Sequence, residues 1–240
     1  MNYNTLFISD IHLGSKLTQS NKLINFLENN TFNKIYLVGD IINMNKLKKK
    51  FLWRRKHNNI IQHFLKLSKT IEIIYIYGKS DIILDEFVGQ RFGNIIIKES
   101  DIHYTNNQEE CLVIHGHKFE NMLILYTKFY KLGIIAYKLI LWVNKIINKF
   151  FRFLKIPSWS LSLYLKRRNK AAKNYIQKFE EMVAIYTKKE EMVDIVIAGY
   201  IHTPADKIVE GVRYLNCGCW TEFTSCVVEK INGDLKMLKI

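Results

Sequence analysis

Asp10 and His12 are the first residues along the chain whose types and spacing could bind a metal ion. They follow the apolar run Leu6–Ile8, and Gly14 comes two residues after the histidine. A carboxylate oxygen and an imidazole nitrogen at this spacing can bind one divalent cation, and the glycine lets the backbone turn away without a side chain in the site. Alone, such a triplet is more often a loop aspartate and a surface histidine than a metal site.

Three further short apolar runs each end in a residue that can bind a metal, which strengthens the metal interpretation. These residues are, in chain order, Asp40, His115 with His117, and His202. Short apolar runs are typical of buried strands, and an open α/β sheet binds its ligands at the carboxyl ends of its strands. The sequence therefore predicts four strands that bring oxygen and nitrogen ligands to one edge.

In this order, the motifs D-x-H, G-D, H-G-H and G-x-x-H resemble the signature of the calcineurin-like metallophosphoesterases. A closer resemblance is to the UDP-2,3-diacylglucosamine pyrophosphatases of lipid A synthesis, on the segments Trp159–Lys166 and Tyr214–Glu222. The resemblance covers essentially the whole chain. It implies one α/β domain over residues 1–240, built as a four-layer α/β/β/α sandwich. It also implies a helical insertion over residues 119–170 that forms a lid or faces a membrane.

The resemblance further implies the catalytic and metal-binding residues. The ligands of the family's first metal correspond to Asp10, His12, Asp40 and His202, and the second metal shares Asp40 and adds His115. The family's G-N-H-D segment corresponds to Gly78-Lys79-Ser80-Asp81, so Lys79, Ser80 and Asp81 complete the implied catalytic set. The implied cofactor is a divalent metal, with Mn²⁺ the expected ion, although aspartate and histidine ligands also suit zinc, iron or magnesium.

Several positions differ from the family pattern. Lys79 stands where the family has a metal-binding asparagine, and Tyr200 stands where it has the first histidine of the last motif. An ammonium group has no lone pair, and a phenol binds a divalent ion poorly unless it is deprotonated. Ser80 replaces a cationic phosphate-contacting residue, and Cys219 replaces an aspartate. We therefore expect one intact metal site and a weak or absent second one, with the Lys79 ammonium beside Asp40 partly replacing the second ion's charge.

The resemblance places substrate-binding residues at the end of the insertion, namely Trp159, Lys166, Arg168 and Lys170. A solvated basic helix explains these cations equally well. Between Lys131 and Arg152 a cation recurs every seven residues among apolar side chains. A helix that spans a membrane needs roughly 20 residues with few charges. We therefore expect this segment to pack as a lid or to lie in the headgroup region of a membrane.

The formal net charge of the 240-residue chain is +14, which predicts an acidic partner such as a phosphorylated ligand, an anionic membrane or a nucleic acid. Six cations lie between Lys46 and Arg55, around Phe51, Leu52 and Trp53. Such a run is usually a solvated face. The interleaved aromatic residues and the position just after Asp40 make contact with substrate phosphate or with a membrane the alternative.

The four cysteines include no C-x-x-C pair, and the first predicted strand begins within the first six residues. We therefore expect reduced cysteines, no signal peptide and a cytoplasmic protein, peripheral to the inner face of the cell membrane. Cys217 and Cys219 are interpreted as packing residues rather than soft metal ligands.

Three functions are compatible with these observations. The first is hydrolysis of UDP-2,3-diacylglucosamine, or a related phosphoanhydride, to UMP and 2,3-diacylglucosamine 1-phosphate. The second is a degenerate relative that binds a nucleotide-lipid or a membrane with little or no turnover, as the changes at Lys79, Ser80 and Tyr200 suggest. The third is a nucleic-acid phosphodiesterase, against which the absence of an aromatic stacking platform argues. No protein partner can be inferred from the sequence.

Overall fold

The computed structural model describes residues 1–120 and 170–240, with side chains of the second range described from residue 172. The described helices are α1 (Ser20–Glu28), α2 (Met44–Lys49), α3 (Arg55–Leu67) and α4 (Lys170–Lys189), and a 3₁₀ helix spans Ile82–Phe87. The described strands are β1 (Asn2–Ile8), β2 (Thr31–Val38), β3 (Glu72–Ile76), β4 (Arg91–Phe92), β5 (Ile95–Lys98), β6 (Ser100–Tyr104), β7 (Glu110–Ile114), β8 (Ile195–Ala198), β9 (Ala205–Val209), β10 (Val212–Asn216), β11 (Ser225–Lys230) and β12 (Leu235–Lys239).

The strands form two sheets. The seven-stranded sheet has the order β12-β11-β1-β2-β3-β5-β4, and the five-stranded sheet has the order β6-β7-β8-β10-β9. Strands β1, β2, β3 and β5 are parallel in the first sheet, and β7, β8 and β10 are parallel in the second. The carboxyl ends of these parallel strands therefore lie along one edge of each sheet.

Side chains of the central strands point alternately to the two faces of the sheet, and this alternation explains how the two sheets pack. In β1, Leu6 and Ile8 belong to the apolar cluster that includes residues of α1 and α3, whereas Phe7 belongs to the cluster shared with the second sheet. Successive side chains of a strand point to opposite faces, so both faces of β1 are buried. The Phe7 ring stacks on the ring of Tyr36 from β2 at 5.0 Å between centroids. Helices thus cover one face of the first sheet and the second sheet covers the other.

A fourth layer completes the arrangement. Leu112 and Val196, on the face of the second sheet away from this inner cluster, are buried, and the part of α4 from Val183 onward carries the buried residues Ala184 and Thr187. The predicted four-layer α/β/β/α sandwich is thereby confirmed. None of the described helices has the length and apolar character needed to cross a membrane.

The chain divides into two compact units, one formed by Met1–His117 with Val183–Ile240 and the other by Lys118–Met182. The two sheets lie in the first unit. The helical insertion expected over residues 119–170 lies almost entirely outside the described residues. The insertion and its membrane-facing role therefore stay predictions.

Glu229 on β11 is a fully buried carboxylate that joins three strands. Its oxygens accept hydrogen bonds from the hydroxyl of Thr5 at 2.7 Å, the backbone N–H of Asn106 at 2.7 Å and the side chain of Asn4 at 2.8 Å, and lie 2.9 Å from Nε2 of His103. Burial alone would raise the pKa of Glu229, but these donors outweigh burial and lower that pKa below its usual value.

Replacement of Glu229 by glutamine is expected to lower the free energy of unfolding at pH 7 by about 2–3 kcal/mol, because charge-assisted hydrogen bonds are lost in a buried site. A carboxylate with a lowered folded-state pKa stabilises the fold above its unfolded pKa of about 4.3, and this contribution disappears as the pH falls through the folded pKa. The difference between wild type and E229Q in urea unfolding should therefore shrink below about pH 4. The exposed Glu28→Gln change is the control, and a pH-independent difference would contradict the assignment.

Candidate metal centre

Five side chains from four strand ends converge at one point of the first unit. Asp10 and His12 follow β1, Asp40 follows β2, His115 follows β7 and His202 follows β8. Asp10 Oδ1 lies 2.9 Å from His202 Nε2, 3.5 Å from His12 Nε2 and 3.7 Å from His115 Nε2. Asp40 lies 3.7 Å from His12 Nε2 through Oδ2 and 3.8 Å from His115 Nε2 through Oδ1.

The backbone at these residues is held in an unusual conformation. The φ angles are 52° at Asp10, 53° at His12, 54° at Asp40 and 55° at His202, all in the left-handed region that side chains rarely adopt. Hydrogen bonds between the loops hold this geometry, among them Asp10 N to Gly39 O at 3.0 Å and His12 N to Asp40 O at 2.9 Å. Strained backbone of this kind is concentrated at functional sites in proteins.

Two glycines make room for the cluster. A Cβ added to Gly39 would lie 2.4 Å from the ring of His115, and one added to Gly78 would lie 2.4 Å from Asp40 Oδ1. Both distances are far below contact between real atoms, so any side chain here would displace a candidate ligand. The G-D and G-K-S-D motifs therefore begin with glycine for steric reasons at the site itself.

Asp81 positions the loops that carry the ligands. Its carboxylate is fully buried and accepts hydrogen bonds from Gly78 N at 2.6 Å, Ile41 N at 2.9 Å, Asp40 N at 3.3 Å and the hydroxyl of Tyr75 at 2.7 Å. Burial first, and then the negative charge of Asp40, raise the pKa of Asp81. These contacts tie the loop after β2 to the loop after β3.

The cluster has the properties of a cation site. Asp10 Oδ1 and His115 Nε2 are buried and have no hydrogen-bond partner among the described residues. The ring of His202 approaches Asp10 Oδ1 closely, yet the geometry does not satisfy a hydrogen bond. Because buried polar atoms are normally paired, two unpaired ligand atoms 3.7 Å apart indicate a missing positive partner.

Two groups of three residues, which share Asp10, each bring their ligand atoms within 4.8 Å of one another. One set is Asp10, His12 and His202, and the other is Asp10, Asp40 and His115. Oxygen and imidazole nitrogen donors suit zinc, manganese and iron. The donor chemistry and the unpaired atoms thus fit a divalent metal, without specifying Mn²⁺.

Electrostatic interactions within the cluster shift the pKa values of its carboxylates and imidazoles. Burial alone would raise the pKa of Asp10, but the neighbouring rings of His202, His115 and His12 keep that pKa well below its usual value. Burial would lower the pKa of His115, yet Asp40 and Asp10 raise it. The carboxylate of Asp10 is therefore ionised, as a metal ligand must be.

The described residues thus combine two packed sheets, parallel strands and ligand loops in the order D-x-H, G-D, H-G-H and G-x-x-H. This is the arrangement that the resemblance to the calcineurin-like metallophosphoesterases predicts. No protein-family model matches the chain, and no curated protein matches its sequence significantly.

Solved structures of related architecture are found at low identity. A hypothetical protein from Pyrococcus horikoshii is 12% identical over 100% of this chain and 88% of its own, with a TM-score of 0.48. Wild-type Vps29 from Entamoeba histolytica, complexed with zinc, is 13% identical over 98% of this chain and 97% of its own, with a TM-score of 0.46. An archaeal protein described as a novel phosphodiesterase is 14% identical over 98% and 99%, with a TM-score of 0.46. Likeness at this level says nothing about the substrate of this chain.

The remaining predicted site residues take different positions. Lys79 is exposed, and the neighbouring Ser80 donates its N–H and its hydroxyl to the Asp40 carboxylate at 2.6 and 2.7 Å. Tyr200 donates its backbone N–H to Asp10 Oδ2 at 3.0 Å. Trp159, Lys166 and Arg168 lie outside the described residues, and Lys170 is described only as the first residue of α4.

Two further residues contact the rings of the cluster, of which the sequence alone singled out His117 but not Asn43. Asn43 lies 3.0 Å from His12 Nδ1 through its amide nitrogen, and His117 Nδ1 lies 3.2 Å from His115 Nδ1. His117 was visible within the H-G-H motif. Asn43 could have been found as an asparagine placed directly before a helix, since asparagine is a preferred N-cap.

Replacement of Asp81 by asparagine is expected to lower the free energy of unfolding by about 2–4 kcal/mol, because an amide group replaces an acceptor that faces several buried N–H groups. The Asp40 loop should shift, so the affinity for Mn²⁺ or Zn²⁺ should fall at least about tenfold. Urea unfolding and calorimetric metal titration measure the two effects. The exposed Glu86→Gln change, in the adjoining 3₁₀ helix, should alter neither. Unchanged metal affinity in D81N would argue against a positioning role.

Proposed function

We propose that the chain is a metal-dependent phosphoesterase. The observation that carries the proposal is the pair of unpaired buried ligand atoms, Asp10 Oδ1 and His115 Nε2, within a cluster of two carboxylates and three imidazoles. When bound, a divalent cation supplies Lewis acidity and neutralises negative charge on a phosphoryl group. Asp10, Asp40 and His115 would hold the ion, and Ser80 would fix the orientation of Asp40.

The finer proposal concerns the substrate. We propose UDP-2,3-diacylglucosamine, cleaved at its phosphoanhydride to UMP and 2,3-diacylglucosamine 1-phosphate. The support is the resemblance of Trp159–Lys166 and Tyr214–Glu222 to the corresponding family segments. In the second of these, Asn216 donates to the carbonyl of Gly199 at 2.7 Å and accepts from Gly218 N at 3.0 Å, which fixes the loop that leads to His202.

A second candidate function has specific support. Ser80 donates twice to Asp40, so the carboxylate that would bridge two ions already has a hydrogen bond at each oxygen. Lys79 and Tyr200 offer poor metal ligands at their positions. These features favour a degenerate relative that binds a nucleotide-lipid or a membrane with slow or no turnover.

Release of UMP from the diacylated substrate in the presence of Mn²⁺ tests both candidates. We expect the wild type to be active and a chelator to remove that activity. Asp10→Asn should lower the activity more than about 100-fold, because changes to the groups that merely surround metal ligands already cost 10–100-fold. A triple variant with Lys79→Asn, Ser80→His and Tyr200→His is the comparison. Activity in the triple variant alone would favour the degenerate function, and equal activity would mean that the replaced ligands are dispensable.

An anionic membrane surface is the proposed partner, with the protein peripheral to the cytoplasmic face. The support is the basic helix α2 and the side chain of Phe51, which is 77% exposed. Helix α2 lies next to the site, because Met44 donates its N–H to the carbonyl of Ser80 at 3.1 Å. Exposed aromatic and basic residues together bind the headgroup region of anionic bilayers.

Co-sedimentation with vesicles tests the membrane proposal. Binding to vesicles that contain phosphatidylserine should exceed binding to pure phosphatidylcholine. The double change of Lys48 and Lys49 to glutamine should weaken it by roughly 30-fold, at about 1 kcal/mol per cation. Lys236→Gln with Lys239→Gln, both exposed on β12, is the matched control. Equal loss in the control would mean that net charge alone governs binding.

A further inference from the structure

Asn43 is the N-cap of α2, and this role fixes the orientation of its amide. The side-chain oxygen Oδ1 accepts a hydrogen bond from the backbone N–H of Lys46 at 2.9 Å. A backbone N–H can only donate, so the atom facing it must be the oxygen. The amide nitrogen Nδ2 therefore points the other way, and Asn43 is buried.

The amide nitrogen of Asn43 faces the ring of His12 at 3.0 Å from Nδ1. An amide NH₂ group has protons to donate and no lone pair to offer. Nδ1 of His12 must therefore accept, which leaves the proton of the neutral ring on Nε2. That nitrogen is the one directed into the cluster, with His202 Nε2 at 3.3 Å, Asp10 Oδ1 at 3.5 Å and Asp40 Oδ2 at 3.7 Å around it.

We propose that Asn43 is a positioning residue that withholds His12 from the metal. A ring nitrogen that carries a proton has no lone pair for a cation, so His12 serves as a hydrogen-bond donor within the cluster. One divalent ion is then held by Asp10, Asp40 and His115. The ligand set thus differs from the one expected from the sequence, in which the intact site contains His12 and His202 and His115 belongs to the second site.

His115 provides the contrast within the same cluster. Its Nδ1 lies 3.2 Å from Nδ1 of His117, and an imidazole nitrogen, unlike an amide NH₂, can accept a hydrogen bond from its neighbour. With the His115 proton on Nδ1, the lone pair of Nε2 is directed at the carboxylates. Nε2 of His115 is also a buried nitrogen that has no hydrogen-bond partner among the described residues. The group behind each ring therefore decides whether that ring binds metal.

For His12 to bind the metal, the side-chain amide of Asn43 would have to flip so that its oxygen and nitrogen exchange places. The turned amide would place its NH₂ group against the N–H of Lys46, so the N-cap of α2 would be lost and two donors would face each other. An aspartate at this position has no such conflict. Its two oxygens can accept from Lys46 N and from a proton on His12 Nδ1 together, and aspartate caps helices as well as asparagine does.

The test uses the full chain labelled with ¹⁵N-histidine, the variant Asn43→Asp and the control Asn45→Asp. Asn45 is exposed on the same helix, and its change adds the same charge. Long-range ¹H–¹⁵N correlation spectra of the metal-free protein, with His12 signals assigned by their loss in His12→Ala, should show the Nε2–H tautomer in wild type and N45D. N43D should show the Nδ1–H tautomer. An Nδ1–H tautomer in wild type would overturn the proposal.

Calorimetric titration with Mn²⁺ or Zn²⁺ tests the consequence for the metal. Wild type and N45D should bind one ion per chain, and N43D should bind at least about tenfold more tightly or gain a second ion. Two ions of similar affinity in wild type, or equal affinity in wild type and N43D, would overturn the withholding of His12. The inference rests on the metal centre proposed above, but the tautomer measurement needs neither metal nor turnover. A chain without phosphoesterase activity would thus leave the role of Asn43 separately decided.

Discussion

The carboxylate of Asp10 is the constraint on which the site depends. It is fully buried at the meeting point of the two sheets, where Oδ2 accepts the N–H of Tyr200 and Oδ1 faces three imidazole rings. The backbone carbonyl of Asp10 accepts the N–H of Trp220, which ties the loop after β1 to the segment before β11. A buried charge must be compensated, because its transfer out of water is costly. The positions of the histidines, the turn at Tyr200 and the small residues around them all follow from this requirement.

The groups behind the ligands matter as much as the ligands themselves. Asp81 fixes the loops that carry the ligands, and Ser80 donates a hydrogen bond to each oxygen of Asp40. Asn43 offers a hydrogen-bond donor to the ring of His12, whereas His117 can offer an acceptor to the ring of His115. Five metal-binding side chains in contact therefore do not amount to five available ligands. The number of ions that the centre can bind depends on which nitrogen of each histidine ring carries the proton, and these neighbouring groups decide that, so the ligand motifs alone do not.

Much of the fold could be predicted from the sequence, because short continuous apolar runs are typical of strands buried on both faces, and each run ends at a polar loop. The first and last residues of the elements depend more on tertiary contacts. The amphipathic pattern predicts a helix over Asn59–Leu67, but α3 begins at Arg55, where the buried His57 accepts the N–H groups of Arg54 and Gly14. The sequence also predicts Ser20 as the N-cap of the first helix, because serine is a preferred capping residue directly before the amphipathic pattern of Leu23, Phe26 and Leu27. In the structure Ser20 is the first residue of α1 itself, and Gln19 precedes it without a side-chain cap. The contact between Asn43 and His12 could not be predicted, since it depends on tertiary packing between loops that are 31 residues apart.

The left-handed backbone at Asp10, His12, Asp40 and His202 has a consequence for the thermodynamics of the whole chain. Glycine would adopt these φ angles freely, whereas an L side chain costs roughly 1 kcal/mol or more at each of them. The chain thus stores several kcal/mol of conformational cost, by the same reckoning, on the residues that carry its chemistry. Laboratory selection for thermal stability alone would therefore favour glycine at these four positions. The resulting protein would be more stable but would lack the side chains that can bind a metal.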